Sequence, residues 1–130
     1  MPVARVILCA SLLALSAAPS WATIPYGLAC SPEERAAYAE QPVTKIRPVE
    51  HKTPKYPRIA ESLHTEGWVD LLLTVETDGR VSKACVLAAE PEGVFESTST
   101  KALVEWRYNP SDVAALPDRR LKIRMTFLLN

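Results

Sequence analysis

From residue 69 the chain settles into regular alternation. Val69, Leu71, Leu73 and Val75 are separated by Asp70, Leu72, Thr74 and Glu76, a period of two that predicts a strand with one buried face. Asp78-Gly79 follows as a tight turn able to take positive φ, and residues 81–88 return as the antiparallel partner of a hairpin. The period then changes. Phe95, Thr98, Ala102, Leu103 and Trp106 recur three or four apart, which predicts a helix over about 94–106 with one face against the hairpin. Pro110 is expected to end that helix, and residues 111–118 to form a loop. Alternation resumes in the last segment, where Leu121, Ile123, Met125, Phe127 and Leu129 interleave with Lys122, Arg124, Thr126 and Leu128. A short helix over 58–64, stopped before Gly67, completes the set. Three strands sharing one apolar face and covered by two helices make an α+β, two-layer domain with a three-stranded antiparallel sheet.

The first half reads differently. Arg5 precedes an apolar stretch over 6–18, followed by Pro19, Ser20, Trp21 and Ala22, the layout of a secretory signal peptide cut after Ala22. That stretch is shorter than the roughly 20 residues a membrane-spanning helix needs. The alternative is an uncleaved anchor on the periplasmic side of the inner membrane. Residues 23–57 contain Pro25, Pro32, Pro42, Pro48, Pro54 and Pro57, which leave little room for long regular elements. Ser31-Pro32-Glu33-Glu34 nevertheless carries a cap, a proline at the first helical position and an acidic first turn, so one short helix is expected before Pro42, with residues 43–53 extended. The expected organisation is a signal peptide over 1–22, a proline-containing segment over 23–49 and a folded domain over 50–130.

Charge and cysteines narrow the function classes. Arg5 is the one charged residue of the leader, so the rest carries 14 Lys and Arg against 15 Asp and Glu, a net charge of minus one. This balance predicts no nucleic-acid partner. Cys9 falls in the leader, and an oxidising export compartment makes Cys30 and Cys85 a candidate disulfide, with Cys85 as a plain buried strand residue the other reading. His51 and His64 sit in no spaced metal motif, although Glu50 and Glu66 lie near them in sequence. No CxxC, HExxH, GxSxG or phosphate-binding glycine loop occurs, so the expectation is no catalytic residue, no metal, no cofactor and no enzyme activity.

The last strand is the more suggestive feature. A strand at a chain terminus often exposes its outer backbone edge, where another chain can add a strand. Lys122 and Arg124 discourage indiscriminate pairing there and offer charge for an acidic peptide. Arg107 and Tyr108 stand at the end of the preceding helix, next to Trp106 on its apolar face.

Tyr56-Pro57-Arg58-Ile59-Ala60, Gly67-Trp68-Val69, Asp78-Gly79-Arg80-Val81, Gly93-Val94-Phe95 and Trp106-Arg107-Tyr108-Asn109-Pro110, in this order and followed by an apolar strand, resemble the C-terminal domain of the TonB family over about residues 50–130. The resemblance implies a periplasmic domain that binds a protein, in the family an N-terminal peptide of outer-membrane transporters, alongside its last strand. Partner-binding residues implied or suggested are Trp106, Arg107, Tyr108, Asn109, Pro110, Lys122, Arg124, Thr126 and Leu128. A homodimer through the last strand is a further possibility of the same kind. Inner-membrane motor proteins enter as partners only if residues 1–22 stay as an anchor; the chain is then an energy transducer for outer-membrane transporters. The family's long proline-rich spacer has no counterpart here, since 33 residues separate Ala22 from Tyr56.

Overall fold

The computed structural model describes residues 26–130; the leader expected over 1–22 lies outside them. Among the described residues no helix is long and apolar enough to cross a membrane. Three strands, β1 (Gly67–Val75), β2 (Val81–Glu90) and β3 (Arg120–Phe127), form one antiparallel sheet in the order β2-β1-β3. Gly79 takes the expected positive φ, +91°, in the hairpin turn, and the Asp78 carboxylate accepts from the Arg80 N–H to close it.

Val69, Leu71, Leu73 and Val75 on β1 meet Ala84 and Val86 on β2 and Leu121, Ile123, Met125 and Phe127 on β3 in one core. Helices α2 (Arg58–Ser62), α3 (Glu96–Leu103) and α4 (Pro110–Ala114) cover that face through Ala60, Leu103 and Val113. At one end of the sheet Phe95 stacks on Phe127, with ring centroids 4.3 Å apart, and Tyr56 packs edge-on against both. The α+β body therefore has the helix, hairpin, helix and strand expected from the sequence, in that order, with α4 added before β3.

Two boundaries differ, for local reasons. Helix α3 is shorter than 94–106: the Glu96 carboxylate accepts from the backbone N–H groups of Gly93, Val94 and Phe95, so the helix starts at Glu96. At its other end the backbone of Arg107 pairs with Glu50, which draws the chain out of the helix. The expected loop over 111–118 contains α4 instead. Pro110 starts this helix rather than ending one, with Asn109 as its N-cap accepting from the Ser111 N–H at 3.0 Å.

The far face of the sheet is covered as well, which one-sided alternation did not predict. Leu72 and Asp70 point away from the main core, yet both are buried. Helix α1 (Pro32–Tyr38) lies over this face, and Cys30, Leu72 and Cys85 form a second apolar cluster with Tyr38 and Leu87. Cys30 and Cys85 are joined in a disulfide, with Cα atoms 4.8 Å apart. Beside it residues 28–30 lie along the outer edge of β2: the Cys30 N–H donates to the Val86 carbonyl at 2.9 Å, and the Val86 N–H to the Leu28 carbonyl at 2.7 Å. Ser31 and Glu34 complete the expected capping box at the start of α1. The Glu34 carboxylate also meets Lys83 at 3.2 Å and Arg120 at 3.8 Å. The Ser31 N–H, followed by Lys83, holds its pKa below the usual carboxylate range despite the opposing effect of burial.

The bond joins positions 55 residues apart, a loop for which chain entropy sets an upper contribution of about 4 kcal/mol. Replacing both cysteines by serine is expected to cost about 2–4 kcal/mol, read as a lower urea midpoint, with the sheet retained. An unchanged midpoint would show that the far-face cover holds without the bond.

Candidate functional site

Residues 106–110 connect three parts of the fold. The Arg107 N–H donates to the Glu50 carbonyl at 2.9 Å, and the Arg107 carbonyl accepts from Val49 at 2.8 Å and Glu50 at 3.2 Å. One residue on, the Tyr108 N–H donates to the Gly79 carbonyl at 2.8 Å. A Cβ on Gly79 would stand 2.0 Å from the Tyr108 carbonyl oxygen, so both its φ and its lack of a side chain are required. Trp106 is half-buried against the core, and its indole N–H donates to the Lys52 carbonyl at 2.9 Å.

These contacts fix where each residue expected to bind a partner stands, with Arg107, Asn109 and Pro110 exposed. Tyr108 is 1% exposed and presents no side-chain surface to another molecule. The side chain of Asn109 is committed to capping α4, and Pro110 forms that helix's first turn. Within the segment the Arg107 side chain is the exposed charged group, its Nε 3.8 Å from a Glu50 carboxylate oxygen. The sequence marks the segment through its residue types, but those types serve the junction between hairpin, α3 and the 49–50 stretch.

β3 is an edge strand. Its odd-numbered side chains enter the core; Arg124, Thr126 and Leu128 are exposed and Lys122 is half-buried. The Lys122 carbonyl accepts from the Thr44 N–H at 2.8 Å, so its backbone polar groups face away from β1. In an antiparallel ladder both groups of one residue face the same side and alternate residues agree. The N–H and C=O of Arg124 and Thr126 therefore face outward too, and neither residue bonds to backbone outside the sheet among the described residues.

Lys122 and Arg124 are already engaged, and Arg120, the third cation of this strand, stands 3.8 Å from the Glu34 carboxylate. Lys122 Nζ donates to the carbonyls of Tyr38, Ala39 and Gln41 at 3.1, 2.8 and 2.9 Å, holding the C-terminal end of α1. Arg124 forms a bidentate pair with Asp70 at 2.6 and 2.9 Å, and its guanidinium carbon lies 4.2 Å above the Trp68 ring. Asp70 and Trp68 escaped the sequence reading because only the register, Asp70 opposite Arg124 and Trp68 opposite Thr126, brings them beside β3. An acidic peptide would meet no unpaired cation on this strand.

Among the described residues Cys30, Glu34 and Cys85 are the one close group of potential metal ligands, and the two sulfurs are bonded to each other rather than available as thiolates. His51 packs edge-on to Trp106, and His64 follows α2 at φ 53°. In a cleft between residues 52–57 and α3, Lys52 meets Glu105 at 2.8 Å, and the Thr98 hydroxyl donates to the Lys55 carbonyl. No acid-base or nucleophile pair converges there.

Burial pushes the Tyr108 phenol up to about 12, and its hydroxyl has no hydrogen-bond partner among the described residues. The folded state therefore keeps this proton after the unfolded chain releases it near 10, so stability falls as pH rises from about 10 through about 12. Replacing Tyr108 by Phe is expected to remove that part of the alkaline loss and to change neutral-pH stability by less than about 1 kcal/mol. Urea melts of both proteins across this range test it; parallel curves would refute the assignment.

Residues 52–128 match the family described as Gram-negative bacterial TonB protein C-terminal. Protein TonB of Escherichia coli K12 is 32% identical over 93 residues, which cover 68% of this chain and 37% of that protein. Protein TonB of Pseudomonas aeruginosa is 35% identical over 65 residues, covering 50% of this chain and 19% of its own length. This chain thus spans well under half the length of these relatives. The solution structure of the Pseudomonas aeruginosa TonB C-terminal domain superposes with a TM-score of 0.55 at 28% identity, covering 69% of this chain and 92% of that one. The TonB2 protein of Vibrio anguillarum shares the fold, with a TM-score of 0.54 at 24% identity over 83% of this chain and 99% of that one. By the match over 52–128 and the shared fold, the chain belongs to the TonB C-terminal domain family.

Proposed function

We propose that this is an exported cell-envelope protein whose folded part binds another protein by strand addition along β3, in the service of TonB-type transport. The outward backbone groups of Arg124 and Thr126 on an edge strand carry this reading. Four main-chain hydrogen bonds to an extended segment fit there, and Leu128, 69% exposed, adds apolar surface just past the strand. The partner is a periplasmic or outer-membrane protein, with an N-terminal peptide of an outer-membrane transporter the first choice. Binding of this kind needs no cofactor and makes or breaks no covalent bond.

Replacing Thr126 by Pro removes one outward donor and leaves the pairing with β1 intact, because that N–H faces away from the sheet. Synthetic peptides copying the N-terminal segments of outer-membrane transporters should bind this variant at least about tenfold more weakly, a loss of about 1.4 kcal/mol. Thr126→Ser should bind as the parent does. Equal affinity for the proline variant would place docking elsewhere.

A second reading is a membrane-anchored energy transducer. It is favoured by the apolar run over 6–18 and by the name that the curated relatives carry. Intact mass and membrane partition, measured in the native envelope, separate the two. A soluble chain beginning at Thr23 is the expected result; a chain that keeps residues 1–22 and sediments with the inner membrane supports the transducer.

A further inference from the structure

The segment that covers the far face of the sheet also reaches β3, and that contact limits what β3 can accept. Residues 28–30 are fixed to β2 by the disulfide and two backbone bonds. Helix α1 then crosses the face, where Glu34 meets Lys83 and Arg120, and the Tyr38 hydroxyl donates to Asp118 at 2.6 Å. At the far end Lys122 grips three carbonyls of residues 38–41, and the Thr44 N–H donates to the Lys122 carbonyl. Thr44 thereby occupies the outward position at Lys122, on the same edge that continues through Arg124 and Thr126.

We infer that residues 28–44 act as a disulfide-held strap that shortens the docking edge. With the strap in place, only the stretch 124–128 accepts a strand, and the occupant is a short extended peptide selected by main-chain pairing rather than by acidity. The inference rests on the reading of β3 as the docking strand and adds its length, its charge preference and its control. Length follows from Thr44: a strand running the whole of β3 collides with residues 42–44. Charge preference follows from the pairing of Arg124 with Asp70 and of Lys122 with main-chain oxygens, which leaves neither cation free to reward a carboxylate. Control follows from the disulfide, since exchange with an external dithiol, which is itself oxidised to a disulfide as Cys30 and Cys85 become thiols, frees the strap at the end opposite Thr44.

Residue-resolved amide exchange on the protein over residues 23–130 tests this. The probes are synthetic copies of the N-terminal segments of outer-membrane transporters, each in an acidic and a neutral version. In the free protein the Thr44 amide is expected to be protected, and to lose at least tenfold of that protection when Cys30 and Cys85 are both serine. Peptide should protect the Arg124 and Thr126 amides in the parent, and the Lys122 amide as well in Thr44→Pro, which lacks the blocking donor. Acidic and neutral peptides should differ less than about threefold in affinity between low and high salt.

Peptide protection of Lys122 in the parent overturns the strap while leaving docking at β3 intact. Retained Thr44 protection without the disulfide overturns the control. A tenfold salt-sensitive preference for the acidic peptide overturns the charge argument. Concentration-dependent protection of Arg124 and Thr126 without peptide makes a second copy the occupant and overturns the peptide. Absence of protection on β3 in every variant removes the docking reading itself, together with the inference.

Discussion

β1 is hydrogen-bonded on both edges and buried on both faces, and the other parts of the structure are arranged around that condition. A three-stranded sheet is narrow, so each face needs its own cover. Helices α2, α3 and α4 supply one, and the strap with its disulfide supplies the other. Burial of the second face places a carboxylate, Asp70, out of water, where an ionised group needs a partner. Arg124 on the neighbouring strand answers it, and Trp68 flanks the pair.

That pairing changes what the proposed docking edge offers. Charged residues on an edge strand commonly deter promiscuous pairing and can attract an opposite charge. Here Arg124 is turned onto Asp70 and Lys122 onto the end of α1, so the deterrent bulk stays while the free charge is spent. In the proposed strand addition, recognition depends on backbone groups, which are the same for any sequence. Selectivity has to come from the length of the open edge and from the pockets beside it. The strap sets that length at Thr44, which ties a feature of the far face to events on the outer edge.

The segment 106–110 has a complementary task. Its backbone joins the 49–50 stretch to the hairpin turn, and its Tyr108 fills the core between them. Residues that stand out in a sequence by type can therefore owe their character to a junction inside the fold. Gly79 makes the point from the other side, because it is needed both for its turn and for the passage of the Tyr108 backbone.

Much of this was legible in the amino-acid order. Alternation marked the first and last strands, Asp78-Gly79 marked the hairpin and its returning strand, and Ser31 through Glu34 marked the start of α1, because each is a property of neighbours a few residues apart. Cys30 and Cys85 could be named as a candidate pair, but their union needed the fold to bring them together. The helix at 110–114 was hidden behind a proline that reads equally as a stop or a start. Alternation also says which side chains share a face and says nothing of what lies against it. The burial of Leu72, the pairing of Asp70 with Arg124, the placement of Tyr108 and the reach of Thr44 to Lys122 were decided only by tertiary structure. Each joins residues distant in sequence, 54 apart for Asp70 and Arg124, and local pattern holds no information on which strand, register or strap will come to stand beside a given residue.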